Sequence, residues 1–267
     1  MKSYKFTIDQ KDYTFSTDQK TMHGKDEIIL DNDINFMESY PEGFTIHKLQ
    51  KEECLKIKSA LKNFIKDEIF KFTGIQINSL SNYHKFIDDD THANFMKYFS
   101  KGFDVSAINE LEYLNKEITN VTSIEASPYS PYNKEKKFWM RIIRPGILEN
   151  NPAHKDVYLD YLRNAVNIYF PITGSTKKSS LSIMPRSHKT NEKDILRTVD
   201  GARVGKRNFT VPAILKIKDS LNLTRPNPNE NEVMIFSPYL VHGAGINEEE
   251  DLTRISLEMR FWPVAGL

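Results

Sequence analysis

The sequence predicts a mainly β protein whose helices are gathered in its N-terminal part. Three observations lead there. Helical stripes of apolar residues fall within the first 120 residues, whereas from about Val121 the pattern shortens to β-like runs separated by turn-forming residues. No Gly-rich loop joins a strand to a helix, so Rossmann and P-loop folds lack the part that cradles phosphate. No internal repeat or low-complexity tract is present, which argues against solenoids and propellers. Many short strands with long connections are the pattern of a sandwich or jelly roll, and the helices are expected to buttress one of its sheets. One domain over 1–267 is expected, with 1–120 mostly helical and 121–267 forming the β core.

The elements follow in order. Residues 4–16 alternate around Asp9-Gln10-Lys11-Asp12 and predict a hairpin. After Pro41-Glu42-Gly43, apolar residues at Cys54, Ile57, Leu61, Phe64, Ile65, Ile69 and Phe72 recur at three-to-four-residue steps and stop at Thr73-Gly74. That spacing predicts an amphipathic helix over 52–72. Asp104 is the expected cap of a second helix with the stripe Val105, Ile108, Leu111, Leu114 and Ile118. Strands are expected at 137–143, 165–170, 181–184, 232–236 and 255–261.

Composition narrows the function classes. Thirty-seven Lys+Arg against 36 Asp+Glu leave a formal charge of +1, so no global field draws the chain to nucleic acid or an anionic membrane. The 39% hydrophobic and 27% charged content is that of a globular chain rather than a disordered one. Cys54, the one cysteine, forms no internal disulfide, which fits a reducing compartment. With no signal-like start and no apolar run approaching 18 residues, a cytoplasmic protein is expected, with a small-molecule substrate and neither nucleic acid nor membrane as partner.

Two histidines stand out among seven. His154 and Asp156 are two residues apart, so on extended backbone their side chains leave on one face and can meet one ion. A chance surface pair remains open at this point. His242 closes the apolar run of Phe236-Ser237-Pro238-Tyr239-Leu240-Val241 and is followed by the small residues Gly243, Ala244 and Gly245. A hydrogen-bonded structural histidine is the plain alternative there. Twelve residues on, Arg254, Ser256, Glu258 and Arg260 share one face of a strand whose other face is Ile255, Leu257, Met259 and Phe261. That polar face meets either solvent or a polar cavity. Two histidines and a carboxylate on one side of an ion leave adjacent positions open, as a non-haem Fe(II) site needs. An arginine on the neighbouring strand could grip a carboxylate with both arms of its fork.

In these residues the sequence resembles the phytanoyl-CoA-dioxygenase-type branch of the Fe(II)/2-oxoglutarate oxygenases, from about Pro41 to Trp262. The resemblance rests on His154-x-Asp156, on Leu181-Ser182-Ile183-Met184-Pro185-Arg186-Ser187-His188-Lys189, and on His242 through Asn247 to Arg254. Arg186 stands where the family has Gly. The resemblance implies a double-stranded β-helix, a cupin-like jelly roll. It implies Fe(II) held by His154, Asp156 and His242, with 2-oxoglutarate as co-substrate and O2 as oxidant. Arg254 would bind the distal carboxylate of 2-oxoglutarate, with Ser256 beside it. Hydroxylation of an unactivated C–H bond, with release of succinate and CO2, is the implied outcome, and Asp156 argues against halogenation.

Arg141 and Asn167, on the strands before and after the metal pair, are candidates to reach the co-substrate or a substrate anion; the alternative for Arg141 is an ordinary surface arginine, and Asn167 has an equally plain one. His188 is expected to support its strand end. Between Arg186 and Arg207, seven basic residues (Arg186, Lys189, Lys193, Arg197, Arg203, Lys206, Arg207) face three acidic ones (Glu192, Asp194, Asp200), which suits an anionic substrate or else a solvated loop. Tyr129, Tyr132 and Tyr158 are candidate walls for a polar ring. Two rivals stand beside the oxygenase reading: a zinc hydrolase on the same ligands, and a jelly-roll binding module without turnover.

Overall fold

The computed structural model describes residues 1–25, 36–146, 151–204 and 207–264. Its main sheet runs in the order β4 (Phe44–Lys48), β15 (Glu232–Phe236), β8 (Val166–Thr173), β17 (Arg254–Pro263), β7 (Lys137–Ile143) and β5 (Phe103–Asp104), with β6 (Ala126–Ser127) pairing the end of β17. All these pairings are antiparallel. The alternation of the strands then sorts side chains cleanly between two faces. Ile255, Leu257, Met259 and Phe261 of β17, Val166, Ile168, Phe170 and Ile172 of β8, and Phe138, Met140 and Ile142 of β7 lie in one large apolar core.

Helices cover that core. α2 (Lys51–Thr73) buries Cys54, Ile57, Leu61, Ile65 and Ile69 of the predicted stripe, whereas Phe64 is only partly buried and Phe72 is exposed, and it ends where the Gly74 N–H closes on Phe70 O. α4 (Asp89–Phe99), absent from the sequence reading, is capped by the Asp88 carboxylate accepting from the Thr91 N–H. Two short helices, α1 (Phe36–Ser39) and α3 (Tyr83–Phe86), complete the N-terminal layer with α5 (Glu112–Thr122).

The second predicted helix is corrected in form. Asp104 does cap a turn, accepting from the Ser106 N–H, but the chain makes two separate 3₁₀ turns before α5 starts at Glu112. Val105, Ile108 and Leu111 are spaced by three, the period of a 3₁₀ helix, so they still reach the core through or beside tighter turns, while Leu114 and Ile118 reach it from α5. β4 and β5, both from the first part of the chain, form the two ends of the main sheet's strand order.

Smaller sheets lie apart from the main one. β9 (Ile183–Met184) pairs with β16 (Val241–His242). β3 (Thr21–His23), β10 (Ile195–Thr198) and β13 (Ile214–Ile217) form a second sheet, and β11 (Arg203–Val204) pairs with β12 (Arg207–Asn208). The predicted hairpin is β1 (Lys2–Ile8) with β2 (Lys11–Thr17), turning through Asp9 and Gln10 at φ 49° and 69°, as a two-residue primed turn requires. β14 (Asn222–Leu223) extends it in parallel. Among the described residues no helix is long and apolar enough to cross a membrane.

The hairpin clamps the loop that joins His242 to Arg254. Glu248 of that loop accepts from Lys11 and, at 2.7 Å, from the Tyr13 hydroxyl. The buried Arg225 guanidinium donates to Glu248 at 3.0 Å and to Ile246 O at 3.1 Å. Burial alone would raise the Glu248 pKa, but Lys11, Tyr13 and Arg225 together hold it down at about 2, against an ordinary 4.5. A carboxyl with a depressed folded pKa stabilises the fold above its unfolded value and loses that contribution as the pH falls toward the folded value. Glu248→Gln should therefore lower stability at neutral pH and flatten the loss of stability between pH 4.5 and 2 in urea unfolding. An acid limb as steep as that of the unaltered protein would contradict this clamp.

Candidate metal centre

His154 and His242 face each other across a single antiparallel bridge, exchanging both backbone hydrogen bonds at 2.9 and 3.0 Å. The rings consequently lie close, with centroids 4.3 Å apart. Lys155 is extended (φ −109°, ψ 139°), so the chain carries Asp156 back to the same side, where its N–H bonds Pro238 O at 2.9 Å. The surface-pair alternative fails: His154, Asp156 and His242 are 3%, 1% and 6% exposed. His154 Nε2 and His242 Nε2 lie 3.3 and 3.7 Å from Asp156 Oδ1. One ligand atom from each residue lies within 4.8 Å of the others, the one such cluster among the described residues.

The atoms behind these donors fix what they can bind. His154 Nδ1–H donates to Pro152 O at 2.8 Å and His242 Nδ1–H to Leu240 O at 2.9 Å, which turns both Nε2 lone pairs toward the carboxylate. Asp156 Oδ2 accepts from Asn167 Nδ2 at 3.0 Å and Arg260 Nε at 3.2 Å, leaving Oδ1 for the ion. Burial works to raise the Asp156 pKa, yet the Arg260 guanidinium, followed by the two histidines, holds it well below the ordinary carboxylate value. Burial, then His154, pushes His242 down to about 4. At neutral pH Asp156 is thus a carboxylate and His242 a neutral imidazole, each in the form that ligates a divalent ion. The residues fit a metal.

Gly243 shows how tightly the backbone closes behind the pair. Its φ is +102°, and a Cβ there would meet Pro152 O at 2.7 Å and His154 Nδ1 at 3.1 Å. Gly243 thus leaves room for the carbonyl that orients His154.

The polar face of β17 points inward, which settles the sequence alternatives against solvent. Arg254 is 1% and Ser256 0% exposed. Arg254 Cζ lies 5.7 Å from the Tyr169 ring centroid, and Ser256 Oγ has no hydrogen-bond partner. Arg141 is no ordinary surface arginine: it grips Glu258 Oε2 through Nη2 at 3.1 Å and Nε at 3.2 Å. Asn167 spends its Nδ2 on Asp156 while its buried Oδ1 has no partner. The sequence places Arg260 on the polar face but carries no signal that it bonds Asp156. Arg260 also lies 5.1 Å from the Trp139 ring centroid.

The remaining candidates sit elsewhere. His188 is buried, neither ring nitrogen has a partner, and burial with Lys189 lowers its pKa to about 4. Arg186, in the family's Gly position, has φ +65°, the conformation that favours Gly; its guanidinium pairs with Glu42 at 2.6 Å. The basic segment is less free than its charge suggests. Arg203 pairs with Asp18 at 2.5 Å, and Arg197 is buried with Cζ 4.8 Å from the Tyr158 ring centroid. Lys206 and the Arg207 side chain lie outside the described residues. The Tyr158 hydroxyl donates to Glu192 at 3.0 Å, whereas Tyr132 is exposed in its loop.

Compared with models of known protein families the chain matches none, and no curated protein matches it. Among solved structures it is similar to AviO1 from Streptomyces viridochromogenes Tue57, at 15% identity over 88% of this chain and 96% of that one, with a TM-score of 0.46. It is similar to apo EctD from S. alaskensis, at 10% identity over 92% and 85% of the two chains, TM-score 0.48. A nickel complex of ThoJ, a non-heme monooxygenase, follows at 12% identity over 83% and 74%, TM-score 0.40. With every TM-score here below 0.5, the functional reading rests on the residues of this chain.

Gly243→Ala should weaken binding of a divalent ion at least tenfold, because the added carbon meets the Pro152 carbonyl and the ring that it orients. Titration with Co(II) against a chromophoric chelator reads the loss, and circular dichroism checks that the fold remains. Unchanged affinity would contradict the account of the backbone behind His154.

Proposed function

We propose that this protein is a non-haem Fe(II)/2-oxoglutarate-dependent oxygenase of the phytanoyl-CoA dioxygenase type, hydroxylating an unactivated C–H bond of a small polar or anionic substrate. The observation that carries the reading is the buried set His154, Asp156 and His242, bonded through Asp156 to Asn167 and Arg260 of the main sheet, whose strand β17 also carries a buried Arg254. The separate β9–β16 pair, whose His242 meets the Asp156 carboxylate held by Asn167 and Arg260 of the main sheet, supports a double-stranded β-helix.

Iron bound by the three residues would supply the redox chemistry that couples conversion of 2-oxoglutarate and O2 into succinate and CO2 to oxidation of the substrate. The chain's own residues do the rest. Arg254 binds the distal carboxylate of 2-oxoglutarate, and the Ser256 hydroxyl, buried without a partner, donates to the same group. Asn167 and Arg260 hold Asp156 from one side so that a single oxygen faces the ion. The Nδ1 hydrogen bonds stop both imidazoles from rotating. Burial of Arg254 and Ser256 excludes water from the co-substrate end.

The substrate approaches from the other end of β17. Glu258 and Arg260 are only partly buried, and Tyr161, in electrostatic reach of Arg260 and Asp156, is 39% exposed. These groups, with Arg141 and Trp139, make a polar wall with an aromatic component, suited to a small polar molecule. The hydrolase reading is weaker because Glu258, a carboxylate near His242, is held by Arg141 and Arg260 below its ordinary pKa, despite the opposing effect of burial, and makes a poor base.

Metal analysis combined with succinate release separates the three readings: iron with 2-oxoglutarate turnover, zinc with none, or neither. Iron with 2-oxoglutarate turnover is expected, and zinc alone or no metal would overturn the proposal. Arg254→Ala should raise the 2-oxoglutarate concentration for half-maximal turnover by at least tenfold. Arg254→Lys keeps the charge but loses the fork and should recover only part of it. Unchanged dependence in both variants would move the carboxylate to another residue.

A further inference from the structure

The segment from Ser187 to Glu192 is used by nothing in the proposed chemistry, yet it touches the neighbours of all three ligands. Lys155, between His154 and Asp156, is fully buried, and its ammonium lies 2.9 Å from Glu192 Oε1. Glu192 is 3% exposed, and its other oxygen accepts from the Tyr158 hydroxyl at 3.0 Å. At the other end of the segment, Ser187 Oγ donates to Met184 O at 2.6 Å and accepts the Val241 N–H at 2.8 Å, one residue before His242. The segment therefore holds His154-Lys155-Asp156 through Lys155 and His242 through Val241.

A buried ion pair is a poor source of stability, because removing both charges from water offsets most of their attraction. It is instead an exacting constraint on position, since both groups must stay at hydrogen-bonding distance or be left buried and unsatisfied. Lys155 is the residue whose extended backbone sets the His154–Asp156 spacing.

We propose that this segment is a brace that presets the metal centre before the ion arrives. Glu192 is its positioning residue, acting through Lys155 on His154 and Asp156, while Ser187 acts through Val241 on His242. The inference rests on the proposed metal site and adds a role for residues that touch neither ion nor substrate.

The test is Co(II) binding to the full chain by competition with a chromophoric chelator, recorded with the visible absorption of the bound ion and thermal unfolding of the metal-free protein. The key variant is Lys155→Met with Glu192→Leu, which replaces the pair by apolar groups of similar volume. Metal-free unfolding close to that of the unaltered protein, with Co(II) affinity ten- to a hundredfold lower and a changed absorption band, is expected. A merely structural pair would leave the band and the affinity unchanged in the folded double variant, and that result overturns the brace. Should the double variant not fold, Tyr158→Phe, which removes only a hydrogen bond to Glu192, decides the matter: several-fold weaker Co(II) binding supports the brace and unchanged binding overturns it. Failure of the unaltered protein to bind Co(II) would instead overturn the metal site itself.

Discussion

The Asp156 carboxylate is the interaction on which the rest of the site depends. One of its oxygens is taken by Asn167 and Arg260, residues directly opposite each other on β8 and β17, and the other faces two imidazole nitrogens. A carboxylate this deeply buried would ordinarily favour its neutral form. The Arg260 guanidinium reverses that preference, so the group stays charged in a place where only a cation or a pair of donors could accept it. The main sheet thus does two jobs with alternate residues of the same strands. Its apolar face holds the helices, and its polar face holds the ligand.

That division explains why the strands must be flanked as they are. Phe261 and Met259 anchor β17 in the apolar core, and Arg260 between them is fixed in direction by the pleat. The helices α2, α4 and α5 pack on the apolar face of this sheet, opposite the face that carries Asn167 and Arg260. His154 and His242, by contrast, meet in one isolated bridge, with β16 only two residues long. Rigidity there comes from backbone carbonyls, the close approach at Gly243, and side chains that pin the neighbours of the ligands.

Much of this was legible in the sequence because strand alternation has a period of two. The polar set Arg254, Ser256, Glu258 and Arg260 could be read directly, and so could the common side of His154 and Asp156. Alternation does not say which face meets water, because that depends on chain segments distant in sequence. Three residues show the limit. Asn167 and Arg260 find Asp156 only because the chain turns at Asp156 into a 3₁₀ helix, and Lys155 finds Glu192 only through the packing of the 187–192 segment. The predicted helix after Asp104 begins only at Glu112 for a different reason: a spacing of three fits a 3₁₀ turn as well as an α-helix, and the extended Ile108 breaks the run before Leu114 and Ile118 take their place on α5.

The proposed function makes the ion and the co-substrate one binding unit, since 2-oxoglutarate would need both the metal and Arg254 to hold its two ends. Calorimetric titration of 2-oxoglutarate into the anaerobic protein, with and without Fe(II), tests this most directly. The account predicts one 2-oxoglutarate per chain in the Fe(II)-loaded protein and binding at least a hundredfold weaker in the metal-free protein, a difference of about 2.7 kcal/mol. Equal binding in both states, or none in the Fe(II)-loaded protein, would contradict it.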